Sequence, residues 1–424
     1  MTTDLHHHIQ NTKLIDTHEH LYKEAEWVEG GPDVLADLFW HYIAEDLISA
    51  GASPEAVARA KDASDPDIEA RWQGIRAAWD ACQYTGYGMA TRWMAKNIYG
   101  MEDITLAAIE AAADINARIR QPGGRLKLLR ETANLDHVQV DDFLWACEPD
   151  QSGVDFFLYD LSWWGFCRGN LELEKLHHET GITVTSLADL REGMTALFAR
   201  YGQNAIAVKM QHAYERTLAW QPRTDSETEA ILQRYLRGSE LSTAEMLCLG
   251  DWCWSRGVEL AVEYNLPVKL HTGYLAGNER MFNLDGTRAA HLSPLIQHYS
   301  DARFVLMHTT WPYVGESLAL AKHHPNVYLD LCWAWSINPH DTEQFIRRAL
   351  HSVPVNKLFM FGGDTFWPTA SVAFAAQARA GFERALQAEV DDGFITEGEA
   401  IAVATRMMDG NQRAVFDIDG TLRK

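Results

Sequence analysis

Five side chains that commonly bind divalent metal ions stand directly after short apolar runs in this sequence. His18 and His20 follow one run, and His271, His308 and Asp364 each follow another. Neutral imidazole and carboxylate groups are the ligands that zinc and similar ions use in proteins. Because four separate runs end in such groups, the sequence predicts that the folded chain gathers them around one metal centre.

The closely spaced pair, His18 and His20, fits this prediction geometrically. On an extended backbone, residues i and i+2 project to the same side roughly 7 Å apart at Cα, so both rings can reach one ion. The pair alone is weak evidence, because a chain with 18 histidines contains such pairs by chance. His271 or His308 taken alone is more often a hydrogen-bonded core residue. The ligand interpretation therefore depends on their shared position after apolar runs.

Asp364 has two interpretations. It ends a Gly-Gly-Asp sequence and precedes a helix, so it could be an N-cap. It could also take a proton from a metal-activated water and pass that proton to a leaving group. We favour the catalytic role, because the two glycines allow the backbone to pass close to a neighbouring group.

The elements that must position these residues alternate between strand and helix from about residue 134 onward. Their apolar runs are typical of strands buried on both faces of a parallel sheet, in either a doubly wound sheet or a barrel. Functional groups of a barrel lie at the carboxyl ends of its strands, so the ligand positions favour a (β/α)₈ TIM barrel. The predicted strands are Lys13–Thr17, His137–Asp142, Phe156–Ser162, Ala205–Met210, Pro267–Thr272, Arg303–His308, Val327–Leu331 and Leu358–Gly362. The connection between the second and third strands is too short for a full helix.

Residues 31–132 have a different character. They contain few β-branched runs and many helix signals, including an apolar period from Asp33 to Ser49 that predicts one helix closed by Gly51. We interpret this stretch as a helical insertion or lid after the first strand. Residues 1–30 and 133–424 then form the barrel.

Composition excludes several classes of function. The 424 residues carry a net charge of −22, which argues against binding to nucleic acid or to anionic lipid. No apolar run is long enough for a membrane helix, and the N-terminus lacks the features of a signal peptide. The six cysteines form no Cys-x-x-Cys pair. We therefore expect a cytoplasmic enzyme with a small-molecule substrate and no nucleic-acid or membrane partner.

The motifs Asp16-Thr-His-Glu-His20 and Phe361-Gly-Gly-Asp364 resemble those of the first and eighth strands in the amidohydrolase superfamily. The resemblance runs from residue 14 to about residue 415, apart from the insertion. It implies a barrel, a homo-oligomer, and one or two divalent ions, usually zinc. It also implies that His18, His20 and Asp364 hold one ion. His271 and His308 would hold a second ion, or His308 would assist catalysis in a one-ion site.

Lys209 lies at the end of the fourth predicted strand. In many two-metal members of the superfamily, a lysine at this position reacts with carbon dioxide, and the resulting carbamate bridges the ions. Burial favours this reaction, because it stabilises the neutral, nucleophilic amine. The alternative is a lysine paired with a barrel carboxylate. The side chain of Lys269 is expected on the same side of the sheet, but Lys269 lies deeper in its strand. We therefore favour Lys209 as the ligand. We also favour a site with two ions over a site with one.

Several side chains after the predicted strands could contact a substrate. Aromatic rings can pack on its apolar part, and Arg, His or Tyr can bind a carboxylate by charged hydrogen bonds. The candidates are Trp164, Arg168, His212, Tyr214, Trp311 and Trp335. Together they predict a pocket for a small acid with an apolar part.

The sequence favours a metal-dependent hydrolase in which a metal-activated water cleaves an amide, ester or lactone bond. Asp364 and His308 are the catalytic candidates. Decarboxylation, or aldose–ketose isomerisation of a uronate, is the alternative on the same site, and the long insertion is similar to that of the uronate isomerase branch. A non-catalytic barrel is disfavoured, because a structural zinc site is usually closed by four N or S ligands.

Overall fold

The computed structural model describes residues 3–278 and 283–422, and nine short strands occur within them. All neighbouring strands pair in parallel. In chain order the strands are β1 (Leu14–Glu19), β2 (Leu135–Val140), β3 (Phe157–Tyr159), β4 (Leu161–Ser162), β5 (Val208–Met210), β6 (Val268–Leu270), β7 (Phe304–Leu306), β8 (Val327–Asp330) and β9 (Leu358–Phe359).

These strands form a closed barrel. The predicted third strand is divided at Asp160, so that β3 pairs with β2 while β4 pairs with β5. Hydrogen bonds from Thr17 N to Phe361 O (3.0 Å) and from Asp364 N to His18 O (2.9 Å) join β1 to the segment that follows β9. The (β/α)₈ barrel is therefore confirmed, and the doubly wound sheet is excluded.

Helices surround the barrel. A capping box formed by Ser242 and Glu245 begins the helix Thr243–Glu263. Residues 141–156, all described, contain turns but no helix, as expected for the short connection. The α-helices of this part are Asp4–Asn11, Trp164–Cys167, Leu173–Thr180, Leu187–Leu197, Asp225–Leu236, Thr243–Glu263, Ser293–His298, Val314–His323, Ala334–Ile337, Pro339–Leu350, Pro368–Asp391, Glu397–Thr405, Asn411–Val415 and Ile418–Leu422.

Short 3₁₀-helices and π-helices complete the barrel part of the chain. The 3₁₀-helices are His212–Tyr214, Leu284–Thr287, Ala289–Leu292, His308–Thr310 and Val355–Lys357. The π-helices are Phe198–Gly202 and Arg406–Gly410. No helix in the described part of the chain is long and apolar enough to cross a membrane.

Between β1 and β2 the regular secondary structure is helical, and loops join the helices. The segments are Glu24–Gly30, Val34–Trp40, Ile43–Ser49, Pro54–Lys61, Ile68–Cys82, Gly86–Asn97, Leu106–Ala111, Ala113–Ile119, Gly124–Lys127 and the π-helix Leu128–Thr132. The prediction of one helix from Asp33 to Ser49 is wrong, because His41 takes an extended conformation (ψ −168°) and divides it. The break directs Tyr42 towards the barrel rim, where its hydroxyl meets Asp364.

The helical segment packs directly on the barrel. Trp27 and Trp40 contact Trp367, which precedes the long Pro368–Asp391 helix. Gln377 of that helix donates to Gly86 O at 3.0 Å. The apolar side chains of both parts belong to one continuous core. The division of the chain into barrel and insertion domains stays a prediction.

Candidate metal centre and active-site cavity

His18, His20 and Asp364 come together at the carboxyl rim of the barrel. The Nε2 atoms of His18 and His20 each lie 3.3 Å from Asp364 Oδ1, and all three residues are buried. Two ligands bound to one zinc ion at about 2.0–2.2 Å are separated by roughly this distance. The three donor atoms therefore surround a space of the size that a divalent ion needs.

The orientation of the His20 ring is fixed. Its Nδ1 lies 2.6 Å from Asp141 O, and since a carbonyl oxygen can only accept, Nδ1 carries the proton. The ring also stacks on Phe143, with centroids 4.5 Å apart. Nε2 therefore presents a lone pair towards Asp364, the arrangement that metal-bound histidines usually show.

Asp364 is held in a strained turn. Its φ of +59° lies in the left-handed region, which an aspartate adopts at a cost of about 1 kcal/mol or more. Its amide donates to His18 O at 2.9 Å, and its carbonyl accepts a hydrogen bond of 2.5 Å from the hydroxyl of Tyr42. The inserted helices and β1 thus jointly fix the carboxylate beside the histidines.

Gly363 makes this turn possible, which provides a test of the packing. A Cβ atom there would overlap Oε1 of Glu19, which cannot move away because it is fully buried and its Oε2 accepts from Thr365 N. We expect Gly363→Ala to destabilise the protein by about 1–3 kcal/mol in urea unfolding. Gly315→Ala is the matched control, since a Cβ there meets nothing within 4 Å. Equal stability of the two variants would contradict this account of the turn.

His271 and His308 form a second group of donors. His271 Nε2 lies 2.8 Å from Tyr274 O and His308 Nδ1 lies 3.1 Å from Cys332 O, so these two nitrogens carry the protons. The remaining nitrogens, His271 Nδ1 and His308 Nε2, face each other at 3.0 Å. In these tautomers both bear lone pairs, which repel unless a cation lies near them. Asp364 Oδ2, 3.8 Å from His308 Nε2, links this pair to the first group.

Burial keeps all four imidazoles neutral. It lowers the pKa of His20 to about 4 and that of His271 to about 3, and it holds the pKa of His18 and His308 well below the usual value. The charge of Lys209 adds to this effect at His18 and His271. Neutral rings at pH 7 offer lone pairs to a metal ion without losing a proton first.

Lys209 lies inside the centre. Its Nζ is 3.0 Å from His18 Nε2 and donates to Gln211 Oε1 at 2.9 Å. Lys269, its neighbour in register, instead forms a buried ion pair with Asp160 at 2.8 Å. The two lysines lie at the same level of the sheet and differ in their partners, and Lys209 is the one that meets the predicted ligands.

A cavity of about 820 Å³ opens onto the centre. The barrel contributes His20, His271 and Asp364 to its wall. The inserted helices contribute a further group, which includes Trp40, Tyr42, Glu45, Ile48, Val57 and Lys61. The predicted insertion therefore builds one side of the cavity.

Two of the six predicted substrate residues, Trp164 and Tyr214, line this cavity. Arg168 does not, because it pairs with Glu215 and stacks on Trp164 with its guanidinium 3.9 Å from the ring centroid. His212 is buried and packs on Trp254, with centroids 4.1 Å apart.

The two remaining predicted residues also lie outside the cavity wall. Trp311 donates to Asp341 Oδ2 at 2.9 Å, and Trp335 is buried with its indole N–H bonded to Met360 O at 2.9 Å. Both rings make structural contacts here. Arg168, His212, Trp311 and Trp335 thus lie outside this cavity lining, and their role in substrate binding stays a prediction.

Sequence reasoning missed several cavity residues. Gln211 stands two residues after Lys209 and could have been found, since alternate residues of a strand share a face. Phe143 and Phe366 flank the His20 ring, with centroids 4.5 and 5.6 Å away. Tyr42 and Glu45 reach the cavity through the packing of the insertion.

Comparison with known proteins agrees with this geometry. The amidohydrolase family model matches residues 186–397, which is half of the chain. The chain therefore belongs to the amidohydrolase family.

The individual proteins that resemble this chain share less than 30% sequence identity with it. Protein fluG of Emericella nidulans is 29% identical over 225 residues, which cover 50% of this chain and only 26% of that protein, so the chain spans about a quarter of its length. A uronate isomerase from Thermotoga maritima superposes with a TM-score of 0.80 at 14% identity, covering 97% of this chain and 96% of that chain. A glucuronate isomerase from Caulobacter crescentus gives 0.79 at 16% identity, covering 98% and 93%. At these identities the two structures show the shared fold alone.

Proposed function

We propose that the protein is a metal-dependent hydrolase that cleaves an amide, ester or lactone bond in a small substrate. The observation that carries the proposal is that His18 Nε2 and His20 Nε2 each lie 3.3 Å from Asp364 Oδ1, beside a cavity that His20 and Asp364 line. We propose that the ion bound by these groups is zinc. When bound, a divalent cation lowers the pKa of a water molecule and polarises a carbonyl group.

Asp364 is the proposed proton carrier. Its carboxylate faces the cavity beside His20, and burial raises its pKa above the ordinary value. A raised pKa makes a carboxylate a better proton acceptor near neutral pH. Asp364 would take a proton from the attacking water and deliver it to the leaving group, while the Tyr42 hydrogen bond holds its backbone in place.

The cavity residues suggest the type of substrate. Aromatic rings such as Trp40, Trp164 and Tyr214 line it and would pack on an apolar part. In the described part of the chain, Lys61 is the lysine or arginine that lines this cavity, so we propose it as a partner of a substrate carboxylate.

We favour two ions, bridged by a carbamate on Lys209. The support is the position of Nζ, 3.0 Å from His18 Nε2, and the facing lone pairs of His271 and His308. We expect Lys209→Met to lower the metal content from two ions per chain to one. Growth in ¹³C-bicarbonate should give a carbamate NMR signal in the unmodified protein only. Equal metal content in both proteins would contradict the bridging role.

Metal analysis and product analysis test the proposal together. We expect the purified protein to contain a divalent metal, to lose turnover after chelation, and to regain it when zinc is restored. A panel of N-acyl amino acids, esters and lactones bearing a carboxylate would identify the substrate class. Release of an acid without carbon dioxide or a ketose supports a hydrolase, whereas carbon dioxide release indicates a decarboxylase. A metal-free protein with full activity would contradict the proposal.

A uronate isomerase is the second candidate. It is favoured by one observation: both isomerase structures superpose along nearly their whole length, so the likeness includes the inserted helices. Isomerisation moves a proton between neighbouring carbons, and Tyr42 adds a hydroxyl beside Asp364 that could take part. Formation of a ketose from glucuronate, followed by NMR, would establish this activity in place of hydrolysis.

A further inference from the structure

A buried thiol lies beside the proposed ligands, and the proposed mechanism does not use it. Cys332 follows β8 and is fully buried. Its Sγ, a ring nitrogen of His308 and a carboxylate oxygen of Asp364 all lie within 4.8 Å of one another. The centre therefore contains a sulfur donor after a sixth strand, β8, next to His308.

The surroundings of Cys332 hold its sulfur close to this position. The His308 ring donates to Cys332 O at 3.1 Å, and the Cys332 amide donates to Asp330 Oδ1 at 2.9 Å. A Cβ atom at Gly362 would lie only 2.8 Å from Sγ, so the absence of a side chain there leaves the room that the sulfur occupies. The contact of Sγ with His18 O, at 4.0 Å, is long for a hydrogen bond.

We infer that Cys332 is a metal ligand on the His308 side of the centre, an inference that rests on the proposed metal-dependent function. Zinc bonds of about 2.3 Å to sulfur and 2.0 Å to nitrogen place the two donors about 3.5 Å apart at a tetrahedral angle. Sγ and the His308 nitrogen lie within 4.8 Å of each other, so Sγ has to move by at most about 1.3 Å to reach this separation. Sulfur is a soft ligand, so the centre should prefer Zn²⁺ or Cd²⁺ to Mg²⁺ or Mn²⁺.

Titration of the metal-depleted 424-residue chain with Cd²⁺ tests the inference without an activity assay. Cadmium bound to a thiolate absorbs in the ultraviolet by sulfur-to-metal charge transfer. We expect this band in the unmodified protein and its loss in both Cys332→Ser and Cys332→Ala. The affinity for Cd²⁺ should fall by at least about tenfold in both variants. Cys253→Ala is the control, because Cys253 is equally buried but lies within the Thr243–Glu263 helix.

The outcomes separate this inference from the proposed function. Tight Cd²⁺ binding without the band would overturn the inference and leave the metal-dependent function standing. A band that persists in Cys332→Ser would also overturn it, because another cysteine would then be the ligand. No Cd²⁺ uptake at all would overturn both. Circular dichroism of each variant checks that it is folded, and the spectrum of Cys332→Ser decides the matter if Cys332→Ala does not fold.

Discussion

Replacement of Asp364 with asparagine is expected to leave the metal content near normal and to lower kcat by about 10²–10⁴-fold. The amide keeps the shape of the carboxylate and one oxygen directed at His18 and His20, but it cannot accept the proton of the attacking water. The backbone contacts of the turn, to His18 O and from the Tyr42 hydroxyl, do not involve the side chain and should persist. Steady-state kinetics and metal analysis on the same preparation measure both quantities.

Asp37→Asn is the matched control for that experiment. Asp37 is also a buried carboxylate, but it bonds to Tyr99 and Thr369 away from the metal centre. Its replacement should lower stability through these hydrogen bonds and leave kcat within about threefold, which is under 1 kcal/mol in the activation barrier. Unchanged turnover in Asp364→Asn would remove Asp364 from the mechanism.

Replacement of His20 with alanine is expected to weaken metal binding by more than about 100-fold. The substitution removes a direct ligand, whereas loss of a residue that only orients a ligand already costs 10–100-fold. It also removes the ring that stacks between Phe143 and Phe366, so part of the cavity wall is lost. Isothermal titration of the metal-depleted protein with Zn²⁺ gives the dissociation constant directly.

His212→Ala provides the comparison for His20→Ala. His212 is fully buried, yet it packs on Trp254 outside the cavity wall. Its removal should reduce the free energy of unfolding by creating a cavity, while zinc affinity stays the same. Equal zinc affinity in the two variants would show that His20 is not a ligand.

The sequence revealed the barrel and the proposed ligands for one physical reason. A barrel strand is buried on both faces, so it reads as an apolar run, and an ionisable residue directly after it must lie at the rim. His271 after β6 and His308 after β7 are recognisable on this basis alone. The two glycines before Asp364 likewise indicated a tight approach, which the overlap of a Gly363 Cβ with Glu19 confirms.

The lining of the cavity could be predicted only in part in the same way. Arg168 was expected to bind an acid, but its charge is taken by Glu215, a residue 47 positions away. Side-chain pairing of this kind depends on how loops pack, which no local pattern encodes. The prediction of one helix from Asp33 to Ser49 is wrong for a related reason. The apolar period continues through His41, but the contact of Tyr42 with the barrel favours a break in the helix.

The hydrogen bond from Tyr42 to Asp364 also limits how far the enzyme could be miniaturised. A shortened chain that joined Tyr22 directly to Ala133 would retain every proposed ligand, yet the aspartate turn would lose the phenol that steadies it. Trp367 would lose its partners Trp27 and Trp40 and become open to solvent. An engineer seeking a minimal catalyst on this scaffold would therefore need to redesign the turn and cover the exposed indole.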